Sequence, residues 1–130
     1  MKIVQGKGVP LGRLASFAAK EALKGEEISI INCNEVIITG NYKATKENFN
    51  KKRSRVGSGQ RGPKHSATTE KIVKRAIRGM LPNAREGRGR IALKKIKCYS
   101  KVPKELEKEK VIEIPTSKKI KYSLVKEFTK

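Results

Sequence analysis

The sequence predicts an α/β fold built on a strand–helix–strand unit, and three stretches of the chain predict it. Residues 3–4 are a short apolar run followed by Gly6 and Gly8, which reads as a strand ending in a turn. Over residues 11–24, at about 100° per residue, Leu11, Leu14, Ala15, Ala18, Ala19 and Ala22 spread over one side. Arg13, Ser16, Lys20 and Lys24 gather on the other side, and Gly25 is placed to end the helix. Residues 28–31 and 36–39 are β-branched runs too short for helices and read as two strands. Strand, helix and strand in that order imply a parallel pair, a right-handed crossover and a layered packing. The turn before the helix is a candidate anion site, because free N–H groups and the helix dipole point there, and Arg13 falls in that first turn.

At 130 residues one domain is expected. Leu, Ile, Val and Phe total 31, enough for a modest core in a chain this charged. No apolar stretch has the length of a membrane span, and residues 1–8 lack the apolar segment of a secretory signal, so a cytoplasmic protein is expected. Two cysteines, Cys33 and Cys98, and a single histidine offer neither a disulfide framework nor a zinc ligand set. The two thiols are expected in the core, and no metal or cofactor is implied.

The formal net charge is +20, and it is unevenly placed. Residues 1–42 carry 5 basic and 4 acidic groups, residues 43–97 carry 18 and 3, and residues 98–130 carry 9 and 5. Eight of the nine arginines lie between Arg53 and Arg90. A solvated lysine surface of the heat-tolerant kind accounts for the lysines but not for this clustering. Arginine's planar fork suits phosphate, so the pattern points to a polyanion, with nucleic acid and anionic membrane as the two candidates.

Beyond residue 41 the elements are less regular. Residues 42–50 read as helical, and residues 51–64 read as a glycine-rich basic loop with Lys51, Lys52, Arg53, Arg55, Arg61 and Lys64, expected to be mobile without a partner. His65 reads as a loop residue, since no nucleophile or carboxylate constellation accompanies it. Residues 69–80 form the clearest helix, with Ile72, Val73, Ala76, Ile77 and Met80 on one face. Lys71, Lys74, Arg75 and Arg78 make a positive stripe on the other face, and like charges so close weaken a helix unless an anion lies against them. Gly79 and Pro82 stop this helix. Arg85, Arg88 and Arg90, spaced by Gly87 and Gly89, read as a second flexible arginine loop before a short helix at 91–95 and a strand at 96–99. Residues 103–110 read as a solvated turn, 111–114 as a short apolar run, and 116–130 as a basic tail that a partner could order.

Several chemistries are disfavoured. Gly57, Gly59 and Gly62 match a dinucleotide-binding spacing, but a basic run precedes them and Pro63 follows, where that motif needs a strand and a helix. The chain contains no Asp, a frequent metal ligand, nucleophile and base, so no enzyme or small-molecule substrate is expected. Aromatics are too few and too scattered for a single-strand stacking platform, and no DNA-reading module is visible. The basic helix lacks the aromatic anchors of a membrane-surface helix. A folded RNA, bound through backbone and shape, is the expected partner.

Four motifs in order sharpen this reading: Leu11-Gly12-Arg13-Leu14-Ala15-Ser16, residues 36–41 ending in Thr39-Gly40-Asn41, Arg78-Gly79-Met80-Leu81-Pro82, and residues 93–99. Together they resemble the universal large-subunit ribosomal protein L-thirteen family in its archaeal and eukaryotic form, over roughly residues 1–115. Val4-Gln5-Gly6 departs from the family's usual Asp-Ala at the end of the first strand. The resemblance implies a three-layer α/β/α fold around a mainly parallel four-stranded sheet; nothing is carried over to the C-terminal extension from 116. It further implies a structural constituent of the large ribosomal subunit that binds its RNA, meets neighbouring ribosomal proteins and acts early in assembly. The alternative is an RNA-binding repressor of translation acting off the ribosome. The expected RNA-binding residues combine the charge map with the family: Arg13, Lys51, Lys52, Arg53, Arg55, Arg61, Lys64, Lys71, Lys74, Arg75, Arg78, Arg85, Arg88, Arg90 and Lys94. Gly12, Gly79 and Pro82 are expected to shape the backbone.

Overall fold

A computed structural model describes residues 1–55 and 65–129. In chain order the elements are β1 (Lys2–Gln5), α1 (Leu11–Leu23), β2 (Ile28–Ile31), β3 (Ile37–Thr39), α2 (Tyr42–Ser54), α3 (Thr69–Met80), α4 (Gly87–Lys94), β4 (Ile96–Cys98), β5 (Val111–Ile112) and β6 (Tyr122–Leu124). Short 3-10 turns occupy Cys33–Glu35, Lys104–Leu106 and Val125–Phe128.

The strand–helix–strand unit forms as expected: β1 and β2 pair in parallel from Lys2 opposite Ile28 to Gln5 opposite Ile31. The sheet order is β4-β2-β1-β5, parallel throughout. β2 is buried along its whole length, as a central parallel strand covered on both faces should be. The three layers are unequal. On one face, Val4, Ile28, Ile30 and Ile96 meet the apolar sides of α1, α3 and α4, including Leu14, Ala18, Ile72, Val73, Ile77 and Ala92. On the other, Ile3 and Ile31 are covered by Leu106 with Tyr99, Val102 and Val111, so the 3-10 turn at Lys104–Leu106 seals a thin layer rather than standing in solvent.

The run at 36–39 does not join the main sheet. Asn32 takes a left-handed conformation (φ 56°) and the following 3-10 turn redirects the chain. β3 then lies beside Val9 and pairs antiparallel with β6, Ile37 opposite Leu124. The fourth place in the parallel sheet is taken by β5. Two helices are longer than the sequence suggested: α2 runs to Ser54, and α4 begins at Gly87, so Lys51, Lys52, Arg53, Arg88 and Arg90 are helical rather than in loops.

The stretch read as a basic tail also needs correction. Its end folds back onto the body: Val125 N–H donates to the Val36 carbonyl at 2.8 Å, and Val125 and Phe128 are buried. The Phe128 ring stacks on Phe49 at 5.0 Å between centroids and lies 5.6 Å from Tyr42, which covers the inner side of α2. α2 has no buried residue of its own, so this aromatic cap is what joins it to the core. Cys33 is buried and Cys98 half-buried, both as free thiols. A hydrogen bond with Cys98, followed by burial, pushes the Cys33 thiol well above its ordinary range.

Two predictions arise from the fold. Glu21 accepts from Lys2 and, at 2.8 Å, from Lys24, and these hydrogen bonds lower its carboxyl to about 2. A depressed carboxylate favours the folded state above its unfolded pKa, and that contribution is lost as pH falls from 4.5 towards 2. Urea midpoints measured across this range should therefore fall less steeply in Glu21→Gln than in the parent. The second concerns Gly89, which is buried at the start of α4 against the turn at 82–83. A Cβ there would collide with the Pro82 carbonyl and come within 2.6 Å of the Asn83 carbonyl oxygen. Both are backbone atoms, so Gly89→Ala should cost about 1–3 kcal/mol or more in chemical denaturation, as overpacking does.

Candidate nucleic-acid interface

The middle of the chain gathers its cations on α2, α3 and α4. α3 buries Thr69, Ile72, Val73 and Ile77, and helical geometry then leaves Lys71, Arg75 and Arg78 exposed on the opposite side. Thr69 is fixed by its hydroxyl, which donates to Asn34 Oδ1 at 2.8 Å. A cleft of about 240 Å³ between α3 and α4 is lined by Ser66, Lys71, Lys74, Arg75, Arg78 and Leu93. A second hollow of about 160 Å³ lies where α2 ends beside α3, lined by Lys52, Arg55, His65 and Arg75. Arg75 lines both, so the basic surfaces of α2 and α3 are continuous.

Two of the expected contact residues also bond within the protein. Arg53 is half-buried: one guanidinium nitrogen donates to the Ser66 carbonyl at 3.0 Å and to the Phe128 carbonyl, and the group lies 5.3 Å from the Phe49 ring centre. It ties α2 to the segment after 64 and to the chain end. Lys74 Nζ donates to the Ile96 carbonyl at 2.9 Å and pins α3 to β4. The sequence reading could place charges on a face but not see which ones also turn inward to satisfy backbone carbonyls.

The remaining residues divide by position. Lys51, Lys52 and Arg55 are exposed around the end of α2. Arg85 is exposed in the turn after Pro82, where its N–H donates to Asn83 Oδ1 at 3.1 Å. Arg88, Arg90 and Lys94 are exposed on α4, with Gly89 turned inward between the two arginines. Arg13 is exposed in the first turn of α1, and none of the described cavities joins it to the α3 cluster. Arg61, Lys64 and the glycines 57, 59 and 62 lie outside the described residues. Gly12 and Gly79 are exposed helical glycines with open space where a Cβ would be, so no fold constraint requires them; Gly89, which the sequence reads only as a spacer in an arginine loop, is demanded by packing, as is Gly6, where a Cβ would lie 2.8 Å from the Ile31 carbonyl oxygen. The signal for Gly89 was the approach of a helix start to the Pro82 turn, visible only in three dimensions. Pro82 does follow the end of α3, as expected.

The ion pairs lie elsewhere. The described ion pairs join Lys2 to Glu21 and Glu26, Lys24 to Glu21, and Lys7 to Glu35, all in the near-neutral first third. Among the described residues, Lys71, Arg78, Arg88 and Arg90 have no carboxylate within ion-pair distance. Nor do the described residues hold a group of three or more metal-ligating side chains, or a helix long and apolar enough to cross a membrane.

A parallel α/β body with its exposed cations gathered on α2, α3 and α4 defines a basic α/β protein. Residues 1–105 match the family model for ribosomal protein L13, and the chain belongs to that family. It is 40% identical over 111 residues to the large ribosomal subunit protein uL13 of Thermoplasma acidophilum, covering 85% of this chain and 80% of the relative. It is 42% identical over 115 residues to the protein of the same name from Methanosarcina barkeri, covering 88% and 81%. The relative from Methanosphaera stadtmanae is 41% identical over 115 residues. The family resemblance carried by the four sequence motifs is thus correct, and its archaeal-type character agrees with these relatives.

Proposed function

We propose that this chain is a structural constituent of the large ribosomal subunit in the cytoplasm, binding large-subunit ribosomal RNA early in assembly through the surface that runs from the end of α2 across α3 to α4. The observation that carries the reading is the set of exposed cations Lys71 and Arg78 on α3 and Arg88 and Arg90 on α4, without carboxylate partners among the described residues, of which Lys71 and Arg78 line a basic cleft. Such a surface repels itself in isolation and is relieved by a dense polyanion. Lys51, Lys52, Arg55, Arg75, Arg85 and Lys94 extend the contact, and Arg13 adds a separate point on α1. Arg61 and Lys64, outside the described residues, belong to the same proposed contact set. Phosphate contacts of this kind fix register and orientation rather than read bases. Gly12 and Gly79, exposed and without a side chain, leave places where a sugar–phosphate backbone can come close to a helix.

Sedimentation of lysates from growing cells tests the assignment. The chain should travel with large subunits and their precursors and be released by high salt together with RNA unfolding. A stable pool found almost entirely at the top of the gradient would overturn it.

A further inference from the structure

The hollow at the end of α2 differs from the rest of the cationic surface because it contains the chain's single histidine. His65 enters from the segment preceding α3, Lys52 and Arg55 from the end of α2, and Arg75 from α3. The imidazole is held edge-on against Phe49, with ring centroids 5.2 Å apart, and Phe49 is itself stacked on Phe128. The ring is therefore positioned by packing rather than free in solvent. Its Nδ1 is buried and makes no hydrogen bond among the described residues, a situation native proteins rarely leave uncompensated.

We infer that Lys52, Arg55, His65 and Arg75 form a seat for one phosphate group of the bound RNA, and that filling it takes up a proton at His65. The inference rests on the RNA-binding reading and adds to it a specific subsite and a pH dependence. Among the described residues, the charged groups around the ring are Arg75 from α3 and Lys52, Arg53 and Arg55 from the end of α2, all cationic. Burial, then Arg75 and Lys52, and more weakly Arg53, hold the imidazole below the ordinary histidine value, while the nearby Ser66 backbone opposes them. A dianionic or monoanionic oxygen group among these cations reverses the balance: it neutralises the repulsion and offers acceptors to an imidazolium. By linkage, whatever raises the proton affinity of the ring must itself bind more tightly when the ring is protonated. The hollow, at about 160 Å³, has ample room for a tetrahedral oxyanion.

The single histidine makes the test direct, since its ring C–H resonance needs no assignment. The full chain is titrated by NMR between about pH 5 and 8, the range in which histidine changes charge. Three conditions are compared: chloride, sodium sulfate at matched ionic strength, and a duplex-containing fragment of large-subunit ribosomal RNA. The midpoint for His65 should rise by about one pH unit with sulfate and with RNA, as expected for a newly adjacent opposite charge. RNA affinity should then be up to about tenfold higher at the acid end than at the alkaline end, and His65→Gln should abolish that difference. Lys52→Gln, at an exposed position, should raise the anion-free midpoint and weaken the sulfate response. This keeps the test available if His65→Gln fails to fold. If RNA binds but the His65 midpoint moves with neither RNA nor sulfate, the phosphate seat is wrong while the RNA-binding reading stands. If RNA does not bind at all, that reading falls and takes the seat with it, whatever sulfate does.

Discussion

Replacing Lys71, Arg78, Arg88 and Arg90 together by glutamine should leave the fold intact and markedly reduce the salt dependence of RNA binding. All four are exposed, none has a carboxylate partner among the described residues, and none anchors a neighbouring element. Each phosphate neutralised contributes roughly 0.7 to the slope of log affinity against log salt, on the single-strand value taken as a guide to RNA. Four lost contacts should reduce the slope by about 3 and, near 0.1 M salt, weaken binding by about 10²–10³-fold. The measurement is a filter-retention or anisotropy titration at several salt concentrations, with circular dichroism as the check on folding. A slope equal to the parent's would remove α3 and α4 from the contact surface. Lys74 is left out of this set on structural grounds. Its bond to the Ile96 carbonyl holds α3 on the sheet, so its loss would mix stability with binding.

Deleting residues 116–130, or replacing Phe128 by alanine, should destabilise the whole protein. Phe128 is 2% exposed and forms the centre of the aromatic cap with Phe49 and Tyr42, while its carbonyl accepts from Arg53. Truncating a buried phenylalanine to alanine typically costs about 3–5 kcal/mol, a large part of the roughly 5–15 kcal/mol by which a domain of this kind is stable. The deletion also removes β6, leaving β3 without its partner strand, and Val125, leaving a hole beside Val36. Chemical denaturation of the two variants should show midpoints well below the parent, with the deletion the worse. A deletion variant as stable as the parent would mean that the chain end is the dispensable tail its composition suggests.

That contrast shows where the sequence was legible. The βαβ unit could be read because its signals are local: apolar spacing in α1, β-branched runs in the strands and a glycine at the helix end. The face of α3 could be read for the same reason, since the periodicity that buries Ile72, Val73 and Ile77 leaves Lys71, Arg75 and Arg78 outside. The chain end could not, because Val125 and Phe128 are two apolar residues among lysines. Their burial depends on Val36 and Phe49, far away in sequence. Which strands make up the four-stranded sheet could not be read for a related reason. Residues 37–39 are better strand formers than 111–112, but the left-handed Asn32 sends them to β6 and leaves the free edge of β1 to Val111 and Ile112.

The same limit applied to the candidate interface. Composition located its charge within residues 43–97, and the helical repeat gave α3 its exposed side. Arg53 and Lys74 looked no different from their neighbours, because their inward turn is set by carbonyls of Ser66, Phe128 and Ile96 that only the folded chain brings within reach. His65 carried no motif around it. Its candidate role comes from the juxtaposition of Lys52, Arg55 and Arg75 across two helices.

Ultraviolet crosslinking of purified large subunits, followed by mass spectrometry of the RNA-linked peptides, tests the central claim most directly. Linked peptides should concentrate in residues 51–94, above all those bearing Lys71, Arg78, Arg88 and Arg90. Subunits that contain the chain but yield RNA links only from 98–130, or from the near-neutral 1–42 stretch, would contradict it.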